Sequence, residues 1–190
     1  MQCYIQKKPN CVIVLNMKGI IIYSSKYGAT KRYAQWLAED TGFDCVETKN
    51  AKIGDVCTYD TIIFGGGLFA SRVAGISFLK KNIDKLSGKQ IIVFCDGVSP
   101  YDEHYVSQLV DLNMKGLPEG IPFVYCRGIW NPKDLKFLDS KLCGMLRKAL
   151  KKKDPSEYEV WEKALVETGD ELIDWTDKSY LKPILEMIGE

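Results

Sequence analysis

Histidine is all but missing from this chain: His104 is the single one in 190 residues. Seven cysteines occur, at 3, 11, 45, 57, 95, 126 and 143, yet none forms a Cys-x-x-Cys pair. With so few nitrogen ligands and no paired thiols, a zinc or iron–sulfur centre is not expected. The odd cysteine count, with no secretory signal, fits a reducing cytoplasm. Cys45, Cys95 and Cys126 sit in or at the ends of apolar runs and read as small core residues. Net charge is nearly absent too, with 26 basic against 25 acidic residues. That balance gives no basis for whole-molecule attraction to nucleic acid.

No apolar run reaches the ~18–20 residues of a membrane span. Cys11-Val12-Ile13-Val14-Leu15 is too short, and Lys18 interrupts its continuation as a signal-peptide core. Met17-Lys18-Gly19 opens the first strand as a natural start would. Residues 1–16 are therefore expected to be an N-terminal extension outside the fold, with 17–190 as one domain. The 46% hydrophobic content suffices for one α/β core.

Apolar strand-like runs cover Gly19–Tyr23, Asp60–Phe64, Gln90–Cys95 and Pro122–Cys126, and Phe43–Thr48 alternates polar and apolar residues as a strand nearer the sheet edge. Helical spacing separates them. It is carried by Ala29, Tyr33, Trp36 and Leu37, then by Ile76, Leu79, Ile83 and Leu86, then over Glu103–Asn113. This alternation predicts an α/β fold with a doubly wound parallel sheet. Leu135, Leu138, Leu142, Leu146 and Leu150 then predict an amphipathic helix over 133–150. The stretch 133–153 holds eight Lys/Arg against two Asp, net +6, and 154–177 reverses this with nine acids against one lysine, net −8. Residues 133–177 thus read as a helical insertion before a closing helix at Asp177–Ile188, which Pro183 interrupts or kinks.

Between the first strand and first helix lies Ser24-Ser25-Lys26-Tyr27-Gly28-Ala29-Thr30. Such a junction lies outside the carboxyl end of a strand, where open α/β sheets bind ligands. The free N–H groups of the helix's first turn favour an anion, and hydroxyls from Ser24, Ser25 and Thr30 suit a phosphate monoester. Gly65-Gly66-Gly67 follows the third strand and Asp96-Gly97-Val98-Ser99-Pro100-Tyr101 the fourth. The chain has neither the Gly-x-Gly-x-x-Gly of dinucleotide folds nor a Gly-x-x-x-x-Gly-Lys-Ser/Thr phosphate loop. The acids of a phosphoacceptor site are also lacking, since their positions read Ser24-Ser25 and Gly65-Gly66.

On these residues the chain resembles the flavodoxin family, whose FMN phosphate loop is commonly Thr/Ser-x-Thr-Gly-x-Thr. The resemblance covers Met17 to about Arg127. It implies a three-layer flavodoxin-like fold, a five-stranded sheet in the order 2-1-3-4-5 and, here, a helical C-terminal extension. Residue by residue, it gives the FMN phosphate to Ser24, Ser25, Lys26, Tyr27, Gly28, Ala29 and Thr30. The isoalloxazine ring falls to Gly66, Gly67, Leu68, Phe69 and Ala70, and to Asp96, Gly97, Val98, Ser99 and Tyr101. Phe69 and Tyr101 are the candidates for ring stacking. Glycines at 65–67 would let the backbone approach the flavin, and Asp96, if turned inward, would oppose charge on the reduced ring.

Within that family the chain is similar to the flavodoxin-like protoporphyrinogen oxidase branch. The match lies in Gly65 to Gly75, the basic Leu-rich helix and Asp174-Trp175. That implies an FMN-dependent oxidoreductase with a redox protein, quinone or porphyrin as electron partner. The alternatives are a low-potential electron-shuttle flavodoxin and a flavin-free binding or regulatory module. The basic stretch reads as a solvated face, or as a contact with an acidic partner or an anionic membrane surface. His104 reads as a surface residue, and Trp130, Trp161 and Trp175 as packing residues.

Overall fold

In the computed structural model, which describes residues 17–189, the first half of the chain alternates strand and helix. It runs β1 (Gly19–Ser24), α1 (Ala29–Thr41), β2 (Asp44–Glu47), α2 (Ile53–Val56), β3 (Thr61–Phe69), β4 (Arg72–Val73), α3 (Ser77–Asn82), β5 (Gln90–Gly97), α4 (Glu103–Met114) and β6 (Phe123–Arg127). The extension adds β7 (Ile129–Trp130), α5 (Phe137–Leu150), α6 (Val160–Glu167), β8 (Ile173–Asp174) and α7 (Lys182–Gly189). The expected extension at 1–16 lies outside the described residues.

Five strands pair in parallel in the order β2-β1-β3-β5-β6, and β4 folds back antiparallel on β3. Counting parallel strands alone, this is the 2-1-3-4-5 order. The cause is visible in the strand sequences. Ile20, Ile22, Ile62, Phe64, Ile91 and Val93 point to one face, where they pack with Leu79, Leu86, Tyr105 and Leu109. Ile21, Ile63, Ile92, Phe94, Val124 and Cys126 point to the other, against Tyr33, Ala34, Leu37, Leu181 and Ile184. A strand buried on both faces has no polar alternation, and helices must cover both sides. Three layers result.

Several expectations are corrected. Cys45 is exposed on the outer strand β2, while Cys95 and Cys126 are buried. The amphipathic helix begins at Phe137, not at 133, because Pro132 opens a separate turn of 3₁₀ helix. Residues 178–181 form another such turn, and α7 starts at Lys182, so Pro183 sits in its first turn without kinking it. The insertion is not wholly helical, since β8 returns to pair with β7.

Gly65, Gly66 and Gly67 are also not a loop. They lie inside β3, Gly65 and Gly66 paired with both β1 and β5 and Gly67 with β5 alone. A Cβ at Gly65 would stand 2.1 Å from the Phe94 ring, and one at Gly66 would stand 2.4 Å from the Ala74 carbonyl oxygen. Those two glycines serve packing: they leave room for Phe94 and for the chain returning after β4. The turn comes later, at Ala70 and Ser71, which hold φ of 46° and 59°. A two-residue hairpin turn of type I′ has positive φ at both centres.

Candidate functional site

The carboxyl ends of β1, β3 and β5 meet at one cavity of about 530 Å³. From the first junction, Ser25, Lys26, Tyr27, Ala29 and Thr30 line it. Gly28 supplies the left-handed residue, φ 98°, that turns the chain into α1, and its N–H donates to Ser25 Oγ at 3.1 Å. Its carbonyl accepts from Arg32 N, which leaves the first-turn N–H groups of α1 without an intrahelical acceptor. Ser24 does not join them. It ends β1 opposite Gly66, with its side chain against Gly75.

Gly67, Leu68, Phe69 and Ala70 line the second side. A Cβ at Gly67 would approach Thr30 Oγ1 to 3.3 Å, so this glycine, unlike its two predecessors, is bare toward the cavity. Phe69 packs on Tyr27, with ring centroids 5.9 Å apart, and Lys26 Nζ lies 5.0 Å from its centroid. The Ala70–Ser71 turn is fixed by Asn113, a buried residue of α4. Its amide donates to Ser71 O and accepts from Val73 N.

Asp96, Gly97, Val98 and Ser99 form the third side. Tyr125 Oη donates to Ser99 O at 2.7 Å and Arg127 Nη2 to Val98 O at 3.1 Å, anchoring this turn to β6. Asp96 is buried, and its Oδ1 accepts the Thr30 hydroxyl at 2.5 Å. Burial pushes its carboxyl up to about 6, against the lowering effect of the Thr30 bond. Tyr101 is 63% exposed and lies off the cavity lining, as do Ser24, Gly28 and Gly66. His104 is exposed and also off the lining.

Sequence reasoning assigned the extension no part in this site, yet it builds the remaining wall. Leu135, Leu142, Cys143 and Leu146 face the cavity together with Trp130, Trp161 and Leu165. Arg147 ties α5 to α6 and to the strand behind: Nε donates to Leu165 O, Nη2 to Gly169 O, and its guanidinium lies over Trp130 at 5.2 Å. The leucine periodicity was visible, but its target was not. Leu135, Leu142 and Leu146 of the stripe face the strand ends instead of the sheet, while Leu138 turns outward to solvent. Two basic residues of 133–153 also find acids in the following segment, Arg147 with Asp170 and Lys153 with Glu162.

At the cavity rim Asp139 accepts from both Lys26 Nζ and Tyr27 Oη, while Lys136 N donates to Tyr27 Oη at 3.1 Å. The pairing raises Lys26 and lowers Asp139 from their usual values. Behind β6, Arg127 stacks on Trp175 at 4.2 Å with its buried Nε unpaired.

A family model described as "Flavodoxin domain" matches residues 20–157. No curated protein matches the chain. Among solved structures it is similar to the two-electron reduced flavodoxin of Megasphaera elsdenii, at 17% identity, 56% of this chain and 82% of that one, with a TM-score of 0.40. It is also similar to oxidised Flavodoxin 2 of Bacillus cereus, at 18% identity, 72% and 99% coverage, TM-score 0.39. A flavodoxin from the domain Archaea matches at 16% identity, 68% and 92% coverage, TM-score 0.38.

Proposed function

The chain belongs to the flavodoxin-domain family, and on that premise we propose that it is an FMN-dependent oxidoreductase of the protoporphyrinogen-oxidase-like kind. One observation carries the reading: three strand-end segments and an apolar wall from the extension converge on a single cavity. The residues present fit the cofactor. The cavity's volume falls within the range of cofactor sites, about 300–1,000 Å³. Gly67 and Gly97 leave bare backbone at its floor, where a Cβ would meet Thr30 or Leu68 and Tyr125 at 3.0–3.3 Å.

The first turn of α1, with Ser25 and Lys26, would hold the phosphate by backbone N–H groups and one cation. Gly67 to Phe69 and Gly97 to Ser99 would bracket the ring system. FMN, when bound, supplies the electron-transfer chemistry, and the protein supplies orientation and electrostatics. Leu142, Leu146, Trp130 and Trp161 would exclude water from one side of it. That wall supports an apolar, planar small molecule as electron partner over a docking protein. A shuttle that docks on basic partners gains from a strongly acidic surface, and this chain is at net +1.

The purified protein is expected to be yellow, or to quench FMN fluorescence on titration. A colourless protein that leaves FMN fluorescence unchanged removes the reading. Anaerobic oxidation of protoporphyrinogen with a quinone acceptor tests the substrate, and absence of turnover points to the shuttle.

The outer face of α5 supports a peripheral membrane location. Phe137, Leu138 and Met145 are 65–76% exposed. Helical spacing puts them on one arc with Lys141 and Lys148, both exposed. Apolar side chains interleaved with lysines suit an anionic bilayer surface. Among the described residues no helix is long and apolar enough to cross a membrane.

A further inference from the structure

Asp96 stands at the end of β5, between Gly67 of β3 and Cys126 of β6 in register. It is 8% exposed, and only Oδ1 is satisfied, by Thr30. Oδ2 has no donor among the described residues. It sits between two bare backbones, 2.9 Å from where a Cβ at Gly128 would be and 3.9 Å from one at Gly67. Both glycines and Asp96 line the cavity. The free oxygen is thus kept open to whatever fills that space.

Among the described residues no cation pairs with this carboxyl. Lys26 is held by Asp139, and Arg127 by Val98 O and the Trp175 face. The titratable groups around it are Tyr33 from α1, Cys95 in its own strand and Cys126 from β6. Tyr105 of α4, with Tyr27, Asp139 and Cys143 at the extension side, completes the set. Burial raises all of these phenols and thiols, so they stay neutral where a carboxyl titrates. Asp139 stays ionised beside Lys26.

We propose that Asp96 is the proton-binding residue of this site. A ligand that sets an anionic or hydrogen-bond-accepting edge against the cavity floor binds together with one proton. That proton passes from solvent to Oδ2, and the new O–H then donates to the ligand. The proposal rests on the FMN reading above. Thr30 couples it to the phosphate loop, because Thr30 is the second residue of α1. A phosphate that recruits its hydroxyl removes the one donor that favours the ionised carboxyl. Burial already sets that carboxyl at about 6. A ligand edge that accepts the new O–H, or an anion beside it, raises it further, so the bound form holds more protons than the free form. Affinity then falls as pH rises through about 6.

The test is flavin affinity by fluorescence quenching from about pH 5.5 to about pH 8.5, for the wild type, Asp96→Asn and Thr30→Val. FMN and riboflavin are compared, since a phosphate monoester changes charge near pH 6 itself. Wild-type affinity for riboflavin is expected to fall about tenfold between about pH 6 and about pH 8. Asp96→Asn should flatten that profile, and Thr30→Val should move the fall to higher pH. Infrared difference spectra should show a protonated carboxyl appearing when flavin is added to the wild type but not to Asp96→Asn. If Asp96→Asn does not fold, the Thr30→Val profile and the wild-type infrared band decide. Wild-type binding that is flat in pH, or that strengthens as pH rises, overturns the proposal and leaves the FMN reading standing. Failure to bind either flavin at any pH overturns both.

Discussion

Asp139 of α5 pairs with Lys26, the only cation in the turn between β1 and α1. The extension is therefore latched to the segment where the phosphate is proposed to sit, by a carboxylate that would compete with a phosphate for Lys26. Asp139→Asn removes the like charge and frees Lys26. It is expected to tighten FMN binding about tenfold, or about 1.4 kcal/mol, as read by calorimetry. Proteolysis within residues 133–153 should become faster.

The same pair has a pH signature. The folded-state carboxyl of Asp139 lies below its ordinary value, so its contribution is present above the unfolded value near 4 and lost as pH falls below it. Hydrogen-exchange protection in α5, taken relative to the intrinsic amide rate at each pH, should fall below about pH 4 in the wild type. In Asp139→Asn that protection should hold steady in the same window.

The three glycines of β3 should separate into two kinds. Gly65→Ala and Gly66→Ala place a Cβ within 2.1–2.4 Å of Phe94 or the Ala74 carbonyl. Each should cost about 1–3 kcal/mol in urea unfolding. Gly67→Ala meets Thr30 and Phe69 at 3.3–3.5 Å, so its loss should appear in flavin affinity with little change in the unfolding midpoint.

The Ala70–Ser71 turn carries two non-glycine residues at positive φ. Ser71→Gly relieves a left-handed conformation worth roughly 1–2 kcal/mol, and a rise in thermal midpoint should follow. Asn113→Ala removes the buried amide that holds Ser71 O and Val73 N. It should destabilise by about 1–3 kcal/mol.

Lys141→Glu with Lys148→Glu reverses the charge of the exposed α5 arc without touching Arg147 or Lys153. Sedimentation with phosphatidylglycerol vesicles should capture the wild type and not the double variant. Phosphatidylcholine vesicles should capture neither. Equal recovery with both lipids, or with neither, removes the membrane contact.

Much of the fold was written in local patterns. Gly19–Tyr23, Thr61–Phe64 and Ile91–Cys95 are apolar on every residue or nearly so, which only a strand covered on both faces requires. The junction at Ser25–Thr30 was equally legible as a strand-to-helix turn, and the structure sets it on the cavity wall. What misled was glycine. Gly65 and Gly66 read as ligand contacts, yet their reason is Phe94, 29 residues from Gly65, and the chain returning past Ala74. Tyr101 was placed at the ring by sequence order alone, and the turn at Ser99 carries it outward.

The sequence by itself determined the layers, the strand order's parallel character and the position of the turn between β1 and α1, because each follows from residue periodicity over a short span. Only the tertiary structure decided what surrounds that turn. Asp139 reaches Lys26 across 113 positions and Thr30 reaches Asp96 across 66. Leu142 and Leu146 close a cavity whose floor lies in another part of the chain. Periodicity states that a helix has an apolar face; which surface that face covers depends on packing between distant segments, which no local pattern encodes.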